Sequence, residues 1–371
     1  MTSVEYCTEG RWVRAMASGE EVGRVVVPDI AFHWGQGLTM PLAGIADVRT
    51  DQRFRRRGIA SRMMNEAVRF ARDSGYGGSA VSTGSENVAR RLYSGAGYVH
   101  LFSMWRFSRR IEGSCPTQTP SGFSIRPYEN GDLAGVLGLI RETEAPFFGS
   151  REKAAKQWAA ARSGDGGREP APAFVAQRGG DTVGFADRFL HWQTMAAELF
   201  VRSDPEQFRL GDALVGALEV ASGSVGEEDL HFWATECEDF PVRLLRNRGY
   251  RPTASRVFMF NILSLQRLLD ELRDLFRNRA AGLDPRELPA EIEIVYPGER
   301  AKLELGGQAE AIRMEGPRAV VTRVVCGMLP AWEAYLMGLV DIRPGVEPHV
   351  RRACHELLPS TPFHHPVNDW W

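Results

Sequence analysis

The residues with the clearest chemical potential form a basic turn with one glycine, Arg55-Arg56-Arg57-Gly58. An apolar run over residues 41–48, typical of a buried strand, precedes the turn, and apolar residues at helical spacing follow it. Backbone N–H groups at a helix N-terminus have no intrahelical partner and lie at the positive end of the helix dipole, so they bind anions where side chains leave room. Gly58 leaves that room. The pattern predicts a phosphate-binding turn; a solvated basic turn is the alternative.

A second motif lies further along the chain, in a short predicted helix that carries L-Y-x-x-x-G-Y over residues 92–98. Together with R-x-x-G-x-A over residues 55–60, it resembles the acetyl-CoA-binding core of the GNAT acyltransferases. The resemblance implies acyl transfer from acetyl-CoA, in which Tyr93 would protonate the departing thiolate or at least form a hydrogen bond with its sulfur. An unperturbed tyrosine pKa of about 10 keeps such a side chain protonated at neutral pH. A tyrosine that merely packs on the sheet is the alternative.

Composition sets limits on the class of protein. A chain of 371 residues suggests two or three domains, and a net charge of -2 with a pI near 6.5 gives no general attraction to nucleic acid or to an anionic membrane. Five scattered cysteines without C-x-x-C indicate a reducing cytosol. We find neither a leader sequence nor an apolar run of about 18 residues, so we expect a cytoplasmic protein without a membrane span.

The histidine pairs favour no metal site. His355-Glu356 lacks a second histidine one helical turn later, and Pro359 would end the helix there. His364-His365 has neighbouring Cys354 and Asp369, but no recognised ligand spacing. We therefore expect no bound metal.

Predicted elements divide the chain into three domains and a linker. Strands are expected over residues 12–17, 23–30 and 39–48, and the first domain, residues 1–112, lacks a further strand and two helices that usually open a GNAT domain. The linker is residues 113–122. Residues 123–262 repeat the strand, turn and helix order and include a helix predicted over 150–161. The repeat's turn is acidic, which opposes pyrophosphate binding, so we expect this copy to be structural.

The last part of the chain, residues 263–371, changes character. An amphipathic helix opens it, followed by strands predicted over residues 291–296, 302–305, 311–315 and 319–325, and then by two helices over 330–337 and 346–358. The pattern resembles a sterol-carrier-like α+β domain. Such a domain can hold a lipid, but we favour a structural role.

The whole arrangement is mixed α/β: two GNAT domains, the first shortened, and a sterol-carrier-like C-terminal domain. It resembles the Eis (enhanced intracellular survival) family of N-acetyltransferases. That resemblance implies acetyl-CoA as cosubstrate, amines such as aminoglycosides or lysine side chains as acceptors, and a hexamer. The Trp371 carboxylate would correspond to a terminal carboxylate that acts as base in that family, although a frayed tail is the usual expectation for a chain terminus.

The same resemblance assigns the remaining site residues. The pantetheine arm would contact Val48, Arg49 and Thr50, and the pyrophosphate would contact Arg56, Arg57, Gly58, Ile59, Ala60 and Ser61. The reactive end of the cofactor would contact Ser85 and Glu86. A strand N–H near Val48 would stabilise the oxyanion of the tetrahedral intermediate.

Three functions remain open at this point. The first is acetylation of a small cationic amine, aminoglycoside-like or polyamine-like, with Asp29, Glu86 and Asp369 as candidate carboxylates for the cation. The second is acetylation of lysine in a peptide or protein, which an open cleft would favour. The third is a non-catalytic protein that binds a lipid or acyl-CoA.

Overall fold

The structure is a computed structural model that describes residues 3–111, 113–145, 148–151, 171–191, 194–235 and 239–361. Its strands are β1 Val4–Glu9, β2 Trp12–Ala17, β3 Glu20–Val26, β4 Asp29–Trp34, β5 Thr39–Gly44, β6 Ala46–Thr50, β7 Gly78–Gly84, β8 Val99–Arg110, β9 Ser124–Pro127, β10 Phe148–Arg151, β11 Ala173–Arg178, β12 Asp181–His191, β13 Thr194–Val201, β14 Asp229–Thr235, β15 Arg251–Ile262, β16 Glu291–Tyr296, β17 Glu299–Glu304, β18 Ile312–Glu315 and β19 Asp341–Arg343. Its α-helices are α1 Ile59–Asp73, α2 Ala89–Gly95, α3 Leu133–Glu144, α4 Gln207–Ser224, α5 Asp239–Asn247, α6 Leu265–Glu271, α7 Arg273–Ala280, α8 Arg318–Val325, α9 Ala331–Leu336 and α10 Pro348–Leu357.

The strands form three sheets. A four-stranded sheet has the order β1-β2-β3-β6, and an eleven-stranded sheet has the order β10-β4-β5-β7-β15-β8-β14-β13-β12-β11-β9. The C-terminal part contains the third sheet, in the order β17-β16-β18-β19. None of the helices within the described residues is both long enough and apolar enough to cross a membrane.

Helix α1 packs on the four-stranded sheet because both elements have one apolar face. Buried Val13 and Ala15 alternate with half-buried residues along β2, the period-2 pattern of a strand with one covered face. The buried residues of α1 include Met63, Met64 and Ala67, at helical spacing, and they share one core with that face of β2. The helix predicted after the basic turn is therefore confirmed.

The central sheet joins the two halves of the chain by exchanging strands. Strand β15, from the second half, lies between β7 and β8 of the first half and pairs antiparallel with both. Strand β8 in turn pairs with β14 of the second half. The sheet thus continues across the predicted boundary at residues 113–122. No sequence pattern indicated this exchange, and the domain boundaries themselves stay a prediction.

The C-terminal part shares a core with the first half. Leu268, Leu269 and Phe276 from α6 and α7 are buried in the same cluster as Phe32 of β4 and Phe258 of β15. These side chains come from helices predicted as one amphipathic segment. The apolar face of this segment therefore packs against the central sheet.

One predicted strand is wrong: residues 319–325 form helix α8. The run of β-branched residues suggested a strand. However, Pro317 precedes the helix, and Val321, Val324 and Val325 are buried at helical spacing, so the run packs as one face of a helix. Tertiary packing overrides the local preference here.

Two other predicted strands are divided, and one strand was not foreseen. Residues 23–30 separate into β3 and β4 around Pro28, which has no N–H for a ladder. Residues 39–48 separate into β5 and β6 at Ile45. Strand β1 precedes β2 and forms a hairpin with it through a two-residue turn that includes Gly10. Of the helix predicted over residues 150–161, Ser150 and Arg151 instead belong to strand β10, and the other positions lie outside the described residues.

Candidate active site

A cleft opens where two parallel strands separate. Strands β5 and β7 pair only at Ala43 with Ser79 and at Gly44 with Ala80, and the Ile45 amide donates to the Ala80 carbonyl at 2.9 Å. Beyond Ile45 the chain enters β6, which joins the other sheet by pairing with β3. Within the described residues no strand pairs with the edge of β6 that faces β7. Backbone groups near Val48 are therefore available to a ligand in the cleft.

The basic turn leads directly into helix α1 at the mouth of this cleft. Gly58 precedes the helix with φ of 77°, and a Cβ at this position would meet nothing within 4 Å. The first intrahelical bond is donated by the Arg62 amide to the Gly58 carbonyl, at 3.1 Å. The amides of Ile59, Ala60 and Ser61 therefore have no intrahelical acceptor. Gly58 supplies the left-handed conformation that aims these amides outward.

The three arginines of the turn are exposed and differ in their contacts. Arg55 donates from Nε to the Thr50 carbonyl at 3.2 Å, which ties the turn to the end of β6. The Arg57 guanidinium lies 5.0 Å from the centroid of the Phe54 ring. Arg56 has φ of 61°, unusual for a residue with a side chain. Among the described residues, neither Arg56 nor Arg57 has a carboxylate partner, so both charges can attract an anion.

A cavity of about 870 Å³ joins the cleft to the turn, within the size range of small-molecule sites. Four of the predicted cofactor residues line it: Val48, Arg49, Thr50 and Ala60. The structure adds residues that the sequence did not single out, Glu21, Val22, Gly23, Arg24, Asp51, Gln52, Asn87, Val88 and Ala89. Leu92, part of the second motif, also lines the cavity.

The side chains of two predicted cofactor residues contact other parts of the protein. Ile59 is buried in the core beneath α1, so only its amide can face a ligand. The Arg49 guanidinium forms an ion pair with Asp47, and Arg24 donates to the same carboxylate at 2.7 Å. Asp47 has φ of 49° at the point where the strands separate. The two arginines hold this left-handed residue in place.

Tyr93 lies on α2 and is 6% exposed. Its ring packs edge-to-face on Tyr98, with centroids 6.2 Å apart. Burial raises the pKa of Tyr93, and the nearby Arg256 opposes part of that shift. The Tyr98 hydroxyl forms a hydrogen bond of 2.7 Å with Ser79 Oγ, whereas the Tyr93 hydroxyl has no partner among the described residues. Tyr93 is thus protonated at neutral pH and keeps its proton available.

The remaining candidate residues divide by position. Ser85 follows β7 and Glu86 is exposed beside it, ahead of α2. Asp29 forms an ion pair with Arg11, which also contacts the Tyr76 hydroxyl, and it is not among the residues that line the cavity. Trp371 and Asp369 lie outside the described residues. No group of three or more His, Cys, Asp or Glu suited to a metal is present in the described part of the chain.

In the second half, side chains of the protein fill the position that corresponds to the basic turn and the start of α1. At the start of α4, the Glu206 amide donates to the Asp204 carboxylate at 2.8 Å, so a side chain already occupies the position of an anion. Phe208, the second residue of α4, packs against Phe240 of α5, with ring centroids 6.4 Å apart. The second residue of α1 is Ala60, which leaves the equivalent space open.

Sequence reasoning missed two residues that the second half brings to the site. Ser255 and Arg256 on β15 lie next to the end of β7, where Arg256 is in register with Gly84. The Ser85 amide donates to the Ser255 carbonyl at 3.1 Å. No local pattern could reveal them, because the strand exchange brings them from far along the chain.

Comparison with protein families identifies the class. Residues 4–98, which contain the cleft, the basic turn and Tyr93, match the acetyltransferase (GNAT) family. The chain therefore carries a GNAT acetyltransferase domain and is an enzyme of the acyltransferase class. Comparison of the sequence with curated proteins gave no match.

Solved structures resemble the chain over most of its length. A GCN5-related N-acetyltransferase from Kribbella flavida has 18% identity and a TM-score of 0.64, covering 98% of this chain and 87% of its own. Eis1 from Mycobacterium abscessus has 14% identity and a TM-score of 0.57, covering 98% and 99%. A tandem GNAT protein from the clavulanic acid biosynthesis pathway has 16% identity and a TM-score of 0.53, covering 68% and 82%. At these identities the likeness establishes the fold.

Proposed function

We propose that the protein is an Eis-like N-acetyltransferase that transfers an acetyl group from acetyl-CoA to a primary amine of a small cationic molecule. The observation that carries the proposal is the junction of β6, the basic turn and α1. It combines an unpaired strand edge with helix N-terminal amides that no side chain caps. Such a site suits a ligand with a phosphate at one end and a polar arm that pairs with a strand.

Each group of residues in the proposed site then has its own role in the reaction. The amides of Ile59 to Ser61, with Arg56 and Arg57, would hold the pyrophosphate, and the edge of β6 near Val48 would hold the pantetheine arm. Acetyl-CoA would supply the activated acetyl group as a thioester. A fixed N–H near Val48 would stabilise negative charge on the carbonyl oxygen, since it needs no reorganisation during the reaction. Tyr93 would give its proton to the departing sulfur.

The base that takes the amine proton is proposed to be the Trp371 carboxylate. Thr361, the last described residue, is anchored by its amide, which donates to the Gly327 carbonyl at 2.7 Å, and by Arg279, which donates to its hydroxyl at 3.1 Å. Helix α8, just before Gly327, also contacts β8, where Arg323 donates to the His100 carbonyl at 3.3 Å. The ten residues that follow, 362–371, can span at most about 36 Å when extended.

Extension of the chain by one residue after Trp371 tests this role. The added residue displaces the carboxylate, and we expect kcat to fall by about 100-fold because general base catalysis contributes at least that factor. Binding of CoA should be unchanged, since a base acts on the acceptor amine and not on the bound cosubstrate. Unchanged turnover by the extended chain would exclude the terminal carboxylate as the base.

Acetylation of a peptide lysine is the second candidate function. Strands β1 and β2 are joined by a tight turn rather than by helices, which leaves the nearby sheet surface accessible. On it, half-buried Trp12 lies beside the guanidinium groups of Arg14 and Arg24, which are 5.8 and 5.5 Å from the ring centroid. An acceptor larger than a single small molecule can approach such a surface.

A thiol-release assay with acetyl-CoA tests these functions together. The amine panel contains an aminoglycoside, a polyamine, a lysine peptide and a control without amine. We expect turnover with at least one small cationic amine. Turnover with the peptide alone would favour lysine acetylation. Failure with every amine, together with tight binding of a fatty acid or sterol, would overturn the enzyme proposal in favour of lipid binding.

The C-terminal part is proposed to be a sterol-carrier-like domain with a structural role. Support comes from its buried residues Leu268, Ile294 and Val324, which belong to one core cluster with Phe32 and Phe258 of the central sheet. The family resemblance also implies a hexamer, which light scattering of the purified chain can test.

A further inference from the structure

Helix α2, which carries Tyr93, is held at both of its ends by strand β15 of the second half. Ahead of the helix, the Ser85 amide donates to the Ser255 carbonyl at 3.1 Å. At the end of the helix, the Asn261 side chain donates from Nδ2 to the Ala96 carbonyl at 3.0 Å. The last carbonyls of a helix have no intrahelical donor. Asn261 therefore supplies a cap that α2 cannot supply itself.

The cap acts on the turn of α2 that contains Tyr93. The amides of Ala96 and Tyr98 both donate to the Tyr93 carbonyl at 3.0 Å. Asn261 is 2% exposed and lies on the same face of β15 as Met259, which shares a core with Tyr93. Because the Tyr93 hydroxyl has no partner among the described residues, the direction of its ring depends on this backbone and on packing with Tyr98.

The orientation of the Asn261 amide is fixed from the C-terminal part of the chain. Arg318, the first residue of α8, donates from Nη2 to Asn261 Oδ1 at 2.7 Å and to the Ile262 carbonyl at 2.6 Å. Arginine has donors only, so the amide presents its oxygen to Arg318 and its NH₂ group to Ala96. Gly97 leaves room for both side chains, since a Cβ there would lie 3.3 Å from the Asn261 amide and 3.4 Å from Arg318 Nη1. Hydrogen bonds therefore connect α8 to the end of α2.

We propose that Asn261 and Arg318 are positioning residues for the transfer reaction, which hold Tyr93, through the cap on α2, where its hydroxyl meets the departing sulfur. This inference rests on the proposed function. A proton donor acts only within hydrogen-bond reach of the atom that it protonates, so a small displacement of its helix lowers the rate. The C-terminal part thus acts on the reaction in addition to packing on the central sheet.

Asn261→Asp separates the cap from the contact with Arg318. The carboxylate still accepts from Arg318, but it presents an acceptor instead of a donor to the Ala96 carbonyl. We expect kcat to fall by about 10- to 100-fold while KM for acetyl-CoA stays within about 3-fold, because the cap places the proton donor and not the cosubstrate. If Asn261→Asp does not fold, Asn261→Ala takes its place with the same expectations.

A double-mutant cycle tests whether the effect of Asn261 passes through Tyr93. In the Tyr93→Phe background the proton donor is already lost, so Asn261→Asp should change kcat by less than about 2-fold. A residue that merely stabilises the fold would lower kcat by the same factor in both backgrounds. Equal losses of kcat with and without the Tyr93 hydroxyl therefore overturn the inference.

Arg318→Met tests the contribution of α8 and has a matched control. Arg323 lies on the same helix, is exposed and also donates to a carbonyl of the central sheet, that of His100, at 3.3 Å. We expect Arg318→Met to lower kcat by about 3- to 10-fold, because the Asn261 amide loses the partner that orients it. Arg323→Met should retain the kcat of wild type. Equal values of kcat in the two variants would overturn the role of Arg318.

Hydrogen exchange distinguishes failure of this inference from failure of the proposed function, because it requires no activity. Exchange of the backbone amides of residues 89–98 is followed by mass spectrometry. Loss of the cap makes local opening more frequent, so we expect about 5-fold faster exchange in Asn261→Asp and Arg318→Met than in wild type and Arg323→Met. If no amine is acetylated, this comparison still tests the cap. Exchange at the wild-type rate in Asn261→Asp overturns the inference.

Discussion

Replacement of Tyr93 by phenylalanine is expected to lower kcat by about 100-fold or more, the smallest factor usual for a lost general acid. The ring and its packing on Tyr98 are kept, and the hydroxyl that is removed has no partner among the described residues. The free energy of unfolding should therefore change little. Steady-state kinetics with acetyl-CoA and the best amine give kcat, and KM for acetyl-CoA should stay close to that of wild type.

Tyr98→Phe is the matched control for this variant. Its hydroxyl bonds to buried Ser79, so its removal should lower the free energy of unfolding by about 1–3 kcal/mol while leaving kcat nearly unchanged. Urea denaturation measures the first effect. Tyr93→Phe is therefore expected to lower kcat but not the free energy of unfolding, and Tyr98→Phe is expected to do the reverse. Full activity in Tyr93→Phe would remove Tyr93 from the mechanism, and equal losses of kcat in both variants would point to packing instead of proton transfer.

Ala60→Phe should abolish binding of acetyl-CoA, because a phenyl ring at this position would fill the space that the cosubstrate needs. In the second half, Phe208 at the same helical position packs on Phe240. Ala60 lines the 870 Å³ cavity beside Leu92, so a phenyl ring can enter it without disturbing the core. Ligand at 100 times its Kd stabilises a protein by about 2.7 kcal/mol. We expect CoA to stabilise wild type by that amount and the variant not at all.

Thermal denaturation with and without CoA measures this difference. Ala60→Ser keeps a small side chain at the same position and should bind CoA as wild type does. Both variants should have the same melting temperature without CoA, which separates a blocked cavity from a damaged fold. Binding of CoA by Ala60→Phe with wild-type affinity would show that the cofactor lies elsewhere.

The elements that form the proposed cofactor side of the site were predictable from the sequence because they are local. The basic turn, Gly58 and helix α1 are consecutive, so apolar spacing and one glycine define both the helix and its open N-terminus. The same reasoning located Tyr93 on a helix that follows β7. Where short-range patterns decide the conformation, the predicted and described elements agree within a few residues.

The structural features that the sequence did not predict depend on contacts between distant segments of the chain. Ser255 contacts Ser85 only because β15 pairs with β7, and nothing near residue 255 indicates this partner. Helix α8 was predicted as a strand because its β-branched residues carry a local preference that packing on β8 and β15 overrides. Of the carboxylates proposed for a cationic acceptor, Asp29 forms an ion pair with Arg11 that no sequence pattern indicated.

The position of β15 between β7 and β8 has a consequence for synthesis on the ribosome. The first half cannot close its sheet until the second half has been made, because the strand that fills the gap comes last. At about 5–20 residues per second, the roughly 140 residues between Arg110 and Arg251 take about 7–28 s to translate. Throughout that interval β7 and β8 expose unpaired edges. The nascent chain is therefore a natural client for chaperones that shield strand edges, and a truncated first half should aggregate.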